Sequence, residues 1–155
     1  MVRWRYDDPP LVWLFVAAYA MHLLEESFGG FAEWMAIAIG RPLPIRDFVL
    51  INAAGFGVMI AAAALSTRCA ALGWLAIGIA TLMFVNGLAH LFASLATGTY
   101  SPGLITGTVL YLPLGQLALL RAWDQAPAAL FGRGVLAGLA AQTVVSLVAF
   151  AAAYR

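Results

Sequence analysis

Five stretches of this chain stay apolar long enough to cross a bilayer, whose hydrocarbon core takes roughly 20 helical residues. They cover residues 11–28, 45–66, 70–95, 102–123 and 132–154. Pro9-Pro10 opens the first, where proline suits a helix start, and Gly29-Gly30 closes it. Residues 31–39, FAEWMAIAI, are too short to span; they predict a short interfacial or re-entrant helix with Trp34 at headgroup level. Arg41-Pro42-Leu43-Pro44 turns the chain, Arg68 divides the second span from the third, and residues 98–103 form a tight turn before the fourth. Residues 124–131 link the fourth and fifth. Pro113 predicts a kink in the fourth span, because it removes a backbone donor. Gly134-Val-Leu-Ala-Gly138 permits close helix contact in the fifth. The pattern predicts an all-α integral membrane protein, a five-transmembrane-helix bundle forming one domain over residues 1–155.

Polar residues interrupt this pattern at few places. His22-Leu-Leu-Glu25-Glu26 puts three ionisable side chains in one turn of the first span. A charged group at bilayer depth costs about 2.5–3.5 kcal/mol on insertion scales, so it usually faces the protein interior and serves a function. The spans alternate in direction, which gives each of these residues a depth. At 1.5 Å per residue, Glu25 lies roughly 21 Å above Leu11, and Asn86 roughly 24 Å above Ala70. Asn52 falls in the early turns of the descending second span, and His90 one turn beyond Asn86. Tyr100 and Ser101 cap the same side. The strongly polar residues of three helices thus meet in the leaflet away from the N-terminus, with Gln142 in the fifth span as an outlier able to reach them. Positions i, i+3 and i+4 share a helix face, which predicts that His22, Glu25 and Glu26 point one way and that Asn86 and His90 do likewise.

Composition agrees with the membrane reading. Hydrophobic residues make up 64% and charged residues 10%, against about 25% charged in soluble domains; mean hydropathy is +0.93. All eight basic residues are arginines, and a net charge of +1 gives no footprint for nucleic acid. One cysteine, Cys69, excludes an internal disulfide and a cysteine-based zinc site. Arg3, Arg5 and an Ala18-Tyr19-Ala20 stretch imitate a cleaved signal peptide, but Asp7, Asp8 and Pro9-Pro10 argue for a retained first helix. With five spans, Arg3, Arg5, Arg68, Arg121 and Arg133 fall on the N-terminal side and Arg41, Arg46 and Arg155 opposite. Arginine bias therefore favours a cytoplasmic N-terminus in an integral membrane protein of the bacterial inner membrane.

Three motifs occur in order: His22-Leu-Leu-Glu25-Glu26, then His90 within Asn86-Gly-Leu-Ala-His90, then Tyr100-Ser-Pro-Gly103. Together they resemble the bacterial membrane proteins grouped by an HxxEE motif, over about residues 11 to 120. The resemblance implies a small multi-helix membrane protein. It implies no activity, so chemistry must come from the residues.

Several chemistries fit those residues. His22, His90 and one of Glu25 or Glu26 make a His2Glu set, a common catalytic zinc shell with one position open to water; iron and manganese suit the same donors. The second glutamate would serve as general base. Asn86 and Tyr100 would hydrogen-bond a developing charge, while Asn52 and Arg46 would contact substrate, Arg46 through a lipid phosphate. On this reading the chain is a membrane-embedded metalloenzyme, hydrolytic or otherwise water-activating, whose partner is a membrane lipid or lipid-like substrate. A second reading is a metal-free acid/base isomerase or cyclase of an isoprenoid-like substrate, with one of two adjacent carboxyls kept neutral. A third is non-enzymatic: a metal- or lipid-binding protein, or a hydrogen-bond network that only joins helices. Proton or ion relay is a fourth, disfavoured in five helices without broken-helix repeats.

Overall fold

The computed structural model describes residues 9–155, without the side chains of Pro9 and Pro10. Arg3, Arg5, Asp7 and Asp8, which enter the charge-bias argument, lie outside the described residues. Seven α-helices follow one another, and no strand occurs among the described residues. They are α1 (Pro9–Gly29), α2 (Phe31–Ile39), α3 (Ile45–Arg68), α4 (Trp74–Thr97), α5 (Leu104–Thr106), α6 (Leu112–Gln125) and α7 (Ala128–Ala153). A 3₁₀ turn, Ala70–Leu72, precedes α4, and a π-turn, Gly107–Tyr111, joins α5 to α6. Five segments are long and apolar enough to cross a membrane: Leu11–Gly29, Ile45–Arg68, Ala70–Thr97, Leu104–Gln125 and Ala128–Ala153.

The ends of these segments have local causes. Gly30 and Gly40 bracket α2 with left-handed backbone, at φ of 74° and 81°, a conformation that costs glycine little. Gly98 closes α4 in the same way. The link expected over residues 124–131 is far shorter. Helix α6 runs on to Gln125 and α7 begins at Ala128, because Pro127 supplies an extended residue at the start of α7 and the alanines after it favour helix. Pro113 acts differently from a simple kink. The Leu112 N–H reaches back five residues to the Gly107 carbonyl, so the fourth span widens into a π-turn just ahead of the proline. Such turns recur at functional sites because they rotate the side chains that follow.

Helix α4 is the centre of the bundle: half of its span is buried, against a third or less for each of the other four. Its glycines let neighbours approach closely. A Cβ on Gly138 would lie 2.5 Å from the Gly78 carbonyl oxygen, and one on Gly134 would lie 2.6 Å from the Ile77 Cβ. The GxxxG pair of α7 therefore packs directly on the α4 backbone. A second contact forms at the other end of α7, where Ala152 joins Ala32, Met35, Leu43 and Phe48 and the Tyr154 hydroxyl donates to the Ile39 carbonyl at 2.7 Å. A cleft lined mainly by α3, α4 and α7, and by Tyr19, His22 and Glu26 of α1, runs beside these contacts.

Candidate functional site

His22 and Glu26 lie one turn apart on α1, and His90 sits near the end of α4. All three are buried, at 2%, 6% and 5% exposure. The Nε2 atoms of His22 and His90 lie 3.5 Å and 3.4 Å from the same oxygen, Oε1 of Glu26. One donor atom from each residue falls within 4.8 Å of the other two. These separations exceed the usual 2.7–3.2 Å hydrogen bond, and His22 Nε2 has no hydrogen-bond partner among the described residues. They suit another geometry. Ligands held tetrahedrally at 2.0–2.1 Å from a zinc ion stand about 3.3–3.4 Å apart.

Both imidazoles are fixed from behind by the turn after α4. His90 Nδ1 meets the Ser101 hydroxyl at 3.0 Å. His22 Nδ1 meets the Thr106 hydroxyl at 2.7 Å. The Thr106 hydroxyl gives its own proton to Glu25, so its oxygen accepts from the His22 Nδ1–H. That tautomer leaves the Nε2 lone pair facing Glu26 and His90. The Phe31 ring lies 5.6 Å from the His90 ring, and the Tyr111 ring 4.5 Å from that of His22.

Glu25 stands apart from the group. A helix turns about 100° per residue, and that rotation carries Glu25 to the loop while Glu26 enters the core. One carboxylate oxygen accepts from the backbone N–H groups of Gly103 and Ile105, at 3.1 Å and 2.9 Å, and from the Tyr100 hydroxyl. The other accepts from the Thr106 N–H at 2.7 Å and the Thr106 hydroxyl. Glu25 thus caps, from another helix, the start of the fourth span, whose first N–H groups have no partner within the span itself. The expected common face of His22, Glu25 and Glu26 holds for the first and last only.

The Tyr-x-Pro-Gly turn fits under the two histidines. Gly103 has φ of 102°, and a Cβ there would sit 2.6 Å from His90 Cε1 and 2.7 Å from His22 Cε1. Backbone conformation and space both require glycine. Pro102 packs where Gly29 leaves room, since a Cβ on Gly29 would lie 2.8 Å from Pro102 Cβ. Tyr100 points to Glu25 rather than into the group. Partial desolvation and the Glu25 carboxylate push its phenol up to about 12, which keeps it a donor.

The other expected site residues divide. Asn52, Asn86 and Gln142 all line the cleft. Asn52 accepts from the Tyr19 hydroxyl at 3.3 Å, Gln142 donates to Ser146 at 3.2 Å, and Asn86 Oδ1 is buried without a hydrogen-bond partner among the described residues. Arg46 is exposed at the start of α3 and does not line the cleft. Trp34 is buried, and its Nε1 donates to Thr99 at 3.0 Å. Ser101, Thr106, Tyr19 and Tyr111 were not singled out in the sequence as site residues. The histidine and glutamate spacing gives no signal for Ser101, Thr106 and Tyr111, which arrive through the path of the turn and the π-turn. Tyr19, three residues before His22 on α1, shares its face by helical spacing.

A bundle of five bilayer-length helices around a buried His2Glu group defines a helical membrane protein with a potential metal-ligand triad. The chain belongs to the family of proteins of unknown function with an HXXEE motif, which matches residues 13–118. No curated protein and no solved structure matches it.

Proposed function

We propose that this protein is a membrane-embedded metalloenzyme whose His22, Glu26 and His90 hold one divalent ion, zinc by preference, with iron or manganese as alternatives. The observation that carries this reading is the convergence of two Nε2 atoms on one Glu26 oxygen at 3.4–3.5 Å, with each Nδ1 already engaged by a hydroxyl. Metal-bound histidines usually have the remote ring nitrogen held in this way. A purely structural network would leave no lone pair idle, yet His22 Nε2 is buried 3.5 Å from Glu26 Oε1, itself an acceptor, with no hydrogen-bond partner among the described residues. Three protein ligands leave a fourth position for water, whose pKa the ion lowers.

Glu25 is not free to act as general base, since its oxygens are occupied by the loop. The Tyr111 hydroxyl is the better polar group to support the reaction, because it is buried, unpartnered and beside His22. It would donate to charge developing on a substrate oxygen. Hydrolysis or another water-activating reaction on a lipid-like substrate follows from a water-binding ion at bilayer depth. We place the protein in a bacterial inner membrane with its N-terminus in the cytoplasm, as arginine bias favours, and α2 at the opposite interface.

Elemental analysis of protein purified without chelators tests this directly. One equivalent of metal is expected, and His90→Ala should abolish it. Chelation should lower the Tm, because an ion at a hundred times its Kd contributes about 2.7 kcal/mol to the folded state. Metal-free protein that gains no stability from Zn²⁺, Mn²⁺ or Fe²⁺ would overturn the proposal in favour of acid–base chemistry at Glu26.

A further inference from the structure

The cleft beside the His22–Glu26–His90 group has a volume of about 680 Å³, within the roughly 300–1,000 Å³ of small-molecule sites. It is long. On α4 it is lined from His90 back to Trp74, about 24 Å at 1.5 Å per residue. On α3 it extends to Ala62, roughly 21 Å beyond Phe48. One leaflet's share of a ~30 Å hydrocarbon core is only about 15 Å. Away from its polar end the lining is almost wholly apolar, with Val58, Met59, Leu75 and Ile79 among its walls.

Four buried side-chain polar atoms have no hydrogen-bond partner within the described residues: His22 Nε2, Asn86 Oδ1, Tyr111 Oη and Trp74 Nε1. All four residues line this cleft. Buried polar groups without partners are costly and uncommon. With His22 Nε2 assigned to the ion and Trp74 Nε1 at the far end, Asn86 Oδ1 and Tyr111 Oη are left to pair with a ligand's head group at the polar end. The ligand's charge is constrained as well. No arginine lines the cleft, and the chain has no lysine. A phosphate head at the triad would meet the Glu26 carboxylate with only the proposed ion to offset both charges, while the Arg133 guanidinium sits at the opposite end, 4.4 Å over the Trp74 ring.

We infer that the cleft among α3, α4 and α7 holds a lipid with one long hydrocarbon chain and an uncharged oxygen head group, an alcohol, ester or amide. The head lies at Tyr111 and the His22–Glu26–His90 group, and the tail runs towards Trp74. This assignment rests on the proposed site for the placement of the head but not for the length of the tail.

Hexadecanol, octanol and hexadecyl phosphate, added to detergent-purified protein, separate these requirements. Hexadecanol should raise the Tm at concentrations about tenfold below those needed for either of the others, a tenfold ratio being 1.4 kcal/mol. Ala62→Phe, which blocks the far end, should remove the preference for hexadecanol over octanol and leave bound metal unchanged. Ala62→Leu should reduce that preference, and it stands in if the larger side chain prevents folding. Equal responses to hexadecanol and octanol, or a long-chain preference that survives both variants, overturn the assignment of the tail. Hexadecyl phosphate acting as strongly as hexadecanol overturns the uncharged head. Metal-depleted protein that keeps the chain-length order upholds the cleft assignment even where the metal reading has failed. Metal-loaded protein indifferent to all three probes overturns the cleft assignment alone.

Discussion

At the scale of single residues, Glu25 and Glu26 make opposite demands on substitution. Glu25→Gln would turn an amide NH₂ towards hydrogen-bond donors and give up charge-assisted bonds worth about 1.5–3 kcal/mol each. The expected result is a Tm several degrees lower, with or without metal. Glu26→Gln removes a ligand but buries an amide more cheaply than a carboxylate. It should leave the Tm of the metal-free protein nearly unchanged while abolishing tight metal binding. Thermal unfolding in detergent, paired with elemental analysis, reads both; identical behaviour of the two variants would refute this division. Tyr100 adds a pH dependence. Its phenol is raised to about 12 by partial desolvation and the Glu25 carboxylate. The stability this contributes is therefore full below the usual value near 10 and is lost as the pH rises through about 12. In the sequence, His22, Glu26 and His90 are legible as a set, because helical spacing and depth suffice to bring them together. Which glutamate joins them is not legible. Both i+3 and i+4 satisfy the face rule, and only the position of the Tyr100–Thr106 backbone selects between them.

At the scale of elements, the α4–α7 contact depends on missing side chains. Gly138→Ala would place a Cβ 2.5 Å from the Gly78 carbonyl oxygen and 2.6 Å from Thr81 Cβ. Such overpacking typically costs about 1–3 kcal/mol. Gly132→Ala, in the same helix with nothing within 4 Å, is the control. It should be neutral or more stable, by up to about 1 kcal/mol. Comparing the two Tm values checks the contact, and equal shifts would count against close packing at Gly138. The five bilayer-length segments were legible because length and hydropathy alone decide them. The short join at Pro127 and the π-turn were harder to read. The first needed the helix preference of an alanine run to outweigh a cluster of polar residues. The second needed the widening to be placed ahead of Pro113, where it turns Tyr111 towards His22.

At the scale of the whole molecule, five segments long and apolar enough to cross a membrane would, if each crosses once, leave the two termini on opposite sides. With a cytoplasmic N-terminus, a C-terminal alkaline phosphatase fusion should be active and a C-terminal fluorescent protein dark. The reverse pair of results would invert the orientation, and activity of the phosphatase at both ends would refute an odd number of crossings. The arrangement has a further consequence during synthesis. Glu25 leaves the ribosome 81 residues ahead of Thr106, the last of its hydrogen-bond donors along the chain. At about 5–20 residues per second, this is an interval of about 4–16 s. Throughout it, the first helix carries a carboxylate whose native donors do not yet exist. The nascent chain must keep that end of the helix wet, or close to the insertion machinery, until the fourth crossing begins. The last step in assembling the motif is therefore not the arrival of a histidine or a glutamate but the delivery of a loop.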